Sequence, residues 1–472
     1  MKTRIIAGIT AFAAMAASCS EKETADKEFL TDSIGVSVTA EENREYSYTD
    51  KQAGYWYGTT HMDQKEWYSG WNVAKKRILA DYTIGIDGTP LNRKEAKVTV
   101  YPERLERIWD NVQETFCLLD NRPTIYIGVE TEADSIFCTL DMSHIISSSA
   151  AEDGMFFVPR EASDKTIMLT TASGAAFEPI ENGIQAGADS EGFIMTFGTE
   201  DECRALAEEF RNEGETLLAA RKERINSLIT EYNPLESNLP ELDKSLAWIT
   251  ITMDELITCQ QGNGIYAGLP WFNEYWGRDM FISMPGACLV TGQFDIAKQI
   301  LKDFAKLQDT DPESETYGRI PNRANLEGIL YNTTDGTPRF VIQAYQLAQY
   351  SGDTEFLHEL YPSIKMSIDA SIKNYTDEKG YLTHADADTW MDVKRNGIPG
   401  SPRGNRANDI QALWYEQLTA GSQIAKLMGD ESSAEEWAGL ATMLASNFEN
   451  DFCNKEEGYI YDHLNADGSA DL

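Results

Sequence analysis

The residues best equipped for chemistry fall in one stretch, Gly268-Leu-Pro-Trp-Phe-Asn-Glu-Tyr-Trp-Gly-Arg-Asp-Met-Phe-Ile-Ser-Met-Pro-Gly286. It gathers Trp271, Phe272, Tyr275 and Trp276 around Glu274, Arg278 and Asp279, with glycine and proline at both ends. That is the pattern of a loop that opens a helix. Aromatic rings cover the C–H faces of a sugar and charged groups bond its hydroxyls, so the composition suits a carbohydrate. The same residues also suit an aromatic core loop with one structural Arg–Asp pair.

Three further loops carry aromatics and carboxylates. One runs from Tyr317 through Asn322 and on through Tyr331 to Asp335 and Gly336. A second is His384-Ala-Asp-Ala-Asp-Thr-Trp-Met-Asp392. A third, Gly397 to Arg403, leads into a helix with Asp409, Gln411, Trp414 and Glu416. No histidine–serine pairing or glycine-rich phosphate loop competes with them. Paired carboxylates are what glycoside hydrolysis requires, one to protonate the leaving oxygen and one to attack the sugar or activate water. Asp392 is the best placed, because Trp390 and Met391 beside it offer an apolar wall that favours a protonated carboxyl. A turn or capping role is the alternative for Asp392. Asp386 and Asp388 also fit a calcium-like oxygen cluster, although their spacing is not that of an EF-hand.

Composition bounds the partners. The 77 acidic and 40 basic residues give a net charge of −37, which repels nucleic acid and anionic membranes and is indifferent to neutral glycans. Five histidines scattered at 61, 144, 358, 384 and 463 make a histidine-rich metal site unexpected, and no cofactor is implied. At the N-terminus, Lys2 and Arg4 precede a short apolar run, Ile5 to Ala17, of secretory type. It ends in Ala16-Ala17-Ser18-Cys19 and a polar run, which resembles a bacterial lipoprotein signal with Cys19 as the lipidated residue. An ordinary signal peptide is the alternative. The other six cysteines stand singly among apolar neighbours, as buried thiols do.

These residues need elements to position them. After a signal peptide at 1–19 and a flexible linker at 20–31, residues 32–199 alternate with the two-residue period of strands, as in Tyr82–Asp87 and Thr124–Val129. The pattern predicts a β-sandwich. Within it, Tyr68 to Trp71 and Lys75 to Asp81 form an aromatic and basic cluster suited to a packed strand pair with a solvated charge run, or to contact with substrate or the next domain. Residues 200–238 read as a linker helix. From 239 to 472 seven helical segments are expected, near 241–260, 279–291, 294–308, 337–351, 354–375, 406–428 and 432–452. Helices in series with their informative residues in the loops predict a toroid of helical hairpins with its site at one end, or a plain helical repeat array.

Five motifs, taken in order, resemble a known family. Trp276-Gly-Arg-Asp279, Gly318-Arg-Ile-Pro-Asn322, Asn332-Thr-Thr-Asp335, Asp388-Thr-Trp-Met-Asp392 and Ala412-Leu-Trp-Tyr415 are similar to the amylo-α-1,6-glucosidase domain of glycogen debranching enzymes, from about Pro240 onward. The resemblance implies an (α/α)6 toroid behind the sandwich. It also implies an inverting hydrolase that removes α-1,6-linked glucose from branched α-glucans, with Asp392 as general acid. Arg278 and Asp279 would hold the terminal glucose, with Trp271, Trp276, Asn322, Asp335, Trp390, Arg403 and Asp409 as further substrate contacts. Asp409 stands where the family usually has Glu, and Gly336-Thr-Pro-Arg339 departs from the family pattern. Seven helices against the family's twelve lead us to expect an incomplete toroid whose general base lies beyond the end of the chain. Impaired activity follows from that expectation. A non-catalytic glycan-binding lipoprotein, another (α/α)6 glucosidase or trehalase-like enzyme, and a helical scaffold are the rival readings. The expected location is the bacterial outer membrane, contacted through the lipid anchor alone.

Overall fold

The computed structural model describes residues 30–62, 66–232, 237–325 and 327–471. The signal segment and Cys19 lie outside the described residues.

The N-terminal region is built of antiparallel sheets. The largest runs, in spatial order, Val36–Val38, Lys97–Val100, Leu105–Trp109, Val112–Leu118, Thr124–Thr131, Gly192–Gly198, Thr166–Thr171, Met155–Pro159 and Ile145–Ala150. A four-stranded sheet (Glu45–Thr49, Gly54–Thr59, Gly70–Val73, Lys76–Leu79) and a five-stranded sheet centred on Ser135–Leu140 share one core with it. Trp56, Trp71, Phe116, Ile125, Ile136 and Ile184 meet there. After the short helix α1 (Leu30–Ser33), the next helix is α2, 32 residues long, Glu200–Glu231. Its start is fixed by a capping box: Glu202 N donates to Thr199 Oγ1 at 3.3 Å and Thr199 N to Glu202 Oε2 at 2.7 Å. Cys203, Ala207 and Phe210 of α2 cover the outer face of the large sheet against Phe156, Met168 and Ile194. The strand Gly192–Gly198 is therefore buried at every position, and its sequence does not alternate.

The C-terminal region is helical. It contains α3 (Pro240–Leu256), α4 (Gly277–Met284, running on as a π turn to Leu289), α5 (Phe294–Ala305), α6 (Gly336–Ser351), α7 (Phe356–Tyr375), α8 (Asn408–Leu427) and α9 (Glu431–Asp451). The helix α6 packs between α4 and α8, and α5, α7 and α9 back this row. Gly421 permits one of these contacts, since a Cβ there would sit 2.3 Å from Ile368 Cδ1 of α7. The expected helix at 241–260 stops at Leu256, because Ile257–Cys259 turn into a strand paired with Asn263–Ile265. That strand begins a small sheet continued by Asn263–Gly268, Phe272–Trp276, Arg323–Asn325 and Gly328–Leu330. The stretch expected as a loop thus contains a strand, Phe272–Trp276, which feeds α4 directly.

An ionic cluster joins the two regions through α2. Arg221, its side chain wholly buried, donates to Asp120, to Glu255 Oε1 at 3.2 Å, and to the carbonyls of Thr49 at 3.2 Å and Glu103 at 3.3 Å. One turn on, Arg224 pairs with Asp254 at 2.6 Å and Asp120 at 2.5 Å, and Lys51 reaches Asp254 at 3.1 Å. Glu255 also accepts Thr49 N at 2.6 Å. The β-rich region, α2 and α3 are held by the same few charges.

Of the six cysteines beyond Cys19, all free, Cys117, Cys138, Cys203 and Cys288 are buried as expected, whereas Cys259 and Cys453 are half-buried.

Candidate active site

The N-termini of α4, α6 and α8 lie under the long loops 306–335 and 376–407, where the residues suited to chemistry collect. Gly277 opens α4 against the chain at Pro321, whose carbonyl would lie 2.5 Å from a Cβ. This close approach lets Gly277 N donate to Asn322 O at 2.6 Å and Arg278 N to Asn322 Oδ1 at 3.2 Å. Arg278 then spans the site. Its Nη1 lies 3.4 Å from Asp335 Oδ2 and 3.3 Å from Thr389 O, and its Nη2 lies 3.1 Å from Asp392 Oδ2. One guanidinium therefore gathers carboxylates from two different loops.

The carboxylates differ in setting. Asp335, at the N-terminus of α6, is 1% exposed; burial pushes its pKa above the ordinary range against the opposing charges of Arg278 and Arg339. Asp392 is more open, with 23% of its side chain exposed. Asp279 is more open still, at 47%, and its Oδ2 is 3.8 Å from Arg278 Nε. Arg403 joins Asp409 Oδ1 at 2.8 Å and Asp462 at 2.8 Å, and its backbone N–H donates to Asp386 Oδ1 at 2.8 Å.

Asp388 is a latch between loops. It accepts from both Nη atoms of Arg319 at 3.2 Å, from Thr333 N at 2.5 Å and from Thr334 Oγ1 at 2.9 Å. His384 pins the same loop to α8: its Nε2 accepts from Ala407 N at 2.7 Å while Nδ1 meets Ala385 O at 2.9 Å. Burial holds the pKa of His384 below its ordinary value, in keeping with a neutral ring. Asp386 and Asp388 therefore serve as hydrogen-bond anchors of loops.

The apolar wall expected beside Asp392 is not formed. Trp390 is 54% exposed. The Asp388 latch and the Thr389 carbonyl turn this loop toward Arg278, so Asp392 faces a cation and the indole is left outside. Trp271 is also 58% exposed, whereas Trp276 is half-buried with the Arg323 guanidinium 5.5 Å above its ring.

Three buried donors of this region, Trp276 Nε1, Asn322 Nδ2 and Arg339 Nε, have no hydrogen-bond partner among the described residues. Each such group costs about 1–3 kcal/mol when left dry.

The sequence does not single out Arg339 for the site, and it offers Glu274 only as one charged group of the opening stretch. Arg339 stands four positions after Asp335, one helical turn away, and that spacing was the available signal. Glu274 is a buried hub, accepting from Arg323 at 2.9 and 3.1 Å, from Lys75 of the sandwich at 2.9 Å, and from Asn325. Burial pushes the Glu274 pKa up, but these donors outweigh it and the net direction is down. Lys75 thus tethers the β-rich region to the site strand, which is the contact with the next domain that its cluster offered.

Comparison with known proteins bears on this arrangement. Residues 244–472 match the family model described as amylo-alpha-1,6-glucosidase. The glycogen debranching enzyme of Saccharomyces cerevisiae is 40% identical over 85 residues, 17% of this chain and 5% of that protein. The chain therefore matches only a small part of this relative's length. Among solved structures, a bacterial glucoamylase complexed with acarbose aligns with a TM-score of 0.56 at 12% identity, covering 91% of this chain and 72% of that one. At that identity the likeness is one of fold, and it spans both the β-rich and the helical regions. Residues 244–472 are thus similar to the amylo-alpha-1,6-glucosidase family, and the chain has a glucoamylase-like fold.

Proposed function

We propose that the protein hydrolyses α-1,6-linked glucose from branched α-glucans with inversion, using Asp392 as general acid. The observation that carries this reading is the span of Arg278 between Asp335 and Asp392, with unpaired donors of Trp276, Asn322 and Arg339 nearby. Arg278, Asp335 and Arg339 grip the hydroxyls of the terminal glucose, and Asp279 and Trp276 complete the grip. Asp392, more exposed than Asp335 on the Arg278 guanidinium, hands its proton to the glycosidic oxygen as the bond breaks. In the same step water attacks from the opposite face, its proton taken by a second carboxylate that in inverting enzymes stands about 6.5–9.5 Å from the acid. The (α/α)6 toroid supplies the frame, and the acarbose of the glucoamylase complex is in keeping with an oligosaccharide of glucose-like units. On the same reading Cys19 carries a lipid that holds the protein at the outer membrane, as the Ala16-Ala17-Ser18-Cys19 sequence suggests.

The test is glucose release from a glucosyl-branched α-glucan, with the anomer of the first product followed by NMR. β-Glucose appearing first supports inversion. Asp392→Asn should lower turnover by about 10²–10⁴-fold while glucan binding persists, the range expected for loss of a general acid. Turnover in Asp392→Asn equal to that of the parent removes Asp392 from the role. Glucan binding without turnover in the parent protein instead favours a binding protein.

A further inference from the structure

We infer that the sandwich contributes an outer glucan-stacking subsite, made of Trp67 and Tyr68 together with Trp271 of the site strand. This rests on the glucan reading above and extends it to longer chains. Tyr68 lies at the centre of the cluster. Trp67 meets it at 5.3 Å and 81°, and Trp271 at 5.7 Å and 77°. Both indoles stand nearly perpendicular to the phenol, so neither is stacked flat on the ring that braces it. Trp67 is 69% exposed and Trp271 is 58% exposed. Aromatic rings that only pack the sandwich together are covered, as Trp56 and Trp71 are at 1% and 0%. Large apolar rings grouped in solvent mark a binding surface.

The occupant follows from position and charge. Trp271 immediately precedes the strand Phe272–Trp276, which delivers Arg278 to the site. At about 3.3 Å per residue, Trp271 lies roughly 17 Å from Trp276, too far to touch the same glucose and suited to units farther along a chain. The cluster is held firmly: Tyr57 packs on Tyr68 at 5.3 Å, Asn273 Nδ2 donates to Tyr55 Oη at 3.0 Å, and Lys75 pairs with Glu274 at 2.9 Å. A chain with net charge −37 disfavours an anionic ligand, and flat indole faces suit the C–H faces of a neutral glucan.

The experiment is titration of the parent protein and of Trp67→Ala with maltooligosaccharides from maltose to maltoheptaose, followed by intrinsic fluorescence and calorimetry. Circular dichroism and the melting temperature report on folding. Trp67→Phe, which keeps a ring, covers the case in which the alanine variant is unstable. We expect parent affinity to rise with chain length. Trp67→Ala should weaken maltoheptaose binding by about tenfold, as loss of an aromatic stacking contact would, and maltose binding much less. Trp67→Phe should lose less than the alanine variant. If the parent binds short and long sugars equally, or if Trp67→Ala loses both to the same degree, this inference falls alone. If the parent binds no glucan of any length, the glucan reading falls and takes this inference with it. A change in sedimentation in Trp67→Ala without a change in glucan affinity assigns the surface to a second copy of the chain and also overturns the inference.

Discussion

Replacing Arg221 by methionine removes the centre of the cluster that joins the sandwich, α2 and α3. The methionine fills much of the same volume, so the loss is mainly electrostatic. Asp120 keeps Arg224 as a partner and Glu255 keeps the Thr49 amide, but Glu255 loses the guanidinium 3.2 Å away, and the carbonyls of Thr49 and Glu103 lose a charged donor. Breaking one side of a buried pair costs about 3–5 kcal/mol. With part of the cluster still paired, about 3–4 kcal/mol is expected. For a domain of 150–250 residues each kcal/mol moves Tm by roughly 2–4 °C, so Arg221→Met should melt about 6–16 °C below the parent. Differential scanning calorimetry reads this, and it also shows whether the sandwich and the helical region still melt together. The double variant Arg221→Met, Glu255→Gln should regain part of the loss, because no bare charge remains at that site. A fall of less than 3 °C in the single variant, or a double variant that simply adds two losses, would refute the reasoning.

Two other outcomes are expected. Asp50 is 2% exposed and burial pushes its pKa up to about 7, against the lowering effect of hydrogen bonds from Gln52 N and Gly54 N. The folded state therefore holds a proton that the unfolded chain releases near pH 4. Its contribution is fully present below that pH and is lost as pH rises through about 7, on the order of 4 kcal/mol in all. Urea unfolding at pH 5 and pH 8 should show Asp50→Asn flattening this slope, and an unchanged slope would count against the assignment. Cys19→Ala should move the protein from the membrane fraction to the soluble fraction in a bacterial host, with loss of palmitate labelling, and an unaltered distribution would exclude the anchor.

How much of this was legible in the sequence depended on the range of the interactions involved. The helices α5 to α9 announce themselves because an amphipathic period is local. The small sheet from Ile257 to Leu330 does not, since Phe272–Trp276 pairs with Arg323–Asn325 across some fifty residues and no strand in it exceeds six. Gly192–Gly198 likewise lacks the alternation that a half-exposed strand would show. At the site, the residue types were readable and their connections were not. Arg278 reaches Asp335 and Asp392 across 57 and 114 positions, and only the fold brings them together. The expected wall at Asp392 failed for a related reason. Neighbours in sequence suggested Trp390, whereas the neighbour in space is a guanidinium.

Glu274 has a consequence for how such proteins can diverge or be engineered. Its carboxylate draws one cation from the sandwich, Lys75, and another, Arg323, that covers Trp276. Grafting a foreign β region onto these helices would remove Lys75 and leave a buried acid short of a donor, and Arg323 would be free to shift off the indole. A recombination point between the β-rich region and the helices, although it falls at an obvious boundary in the sequence, would therefore cut through the support of the candidate site. The two regions form one heritable unit, and successful chimeras should be those that exchange residue 75 and residue 274 together.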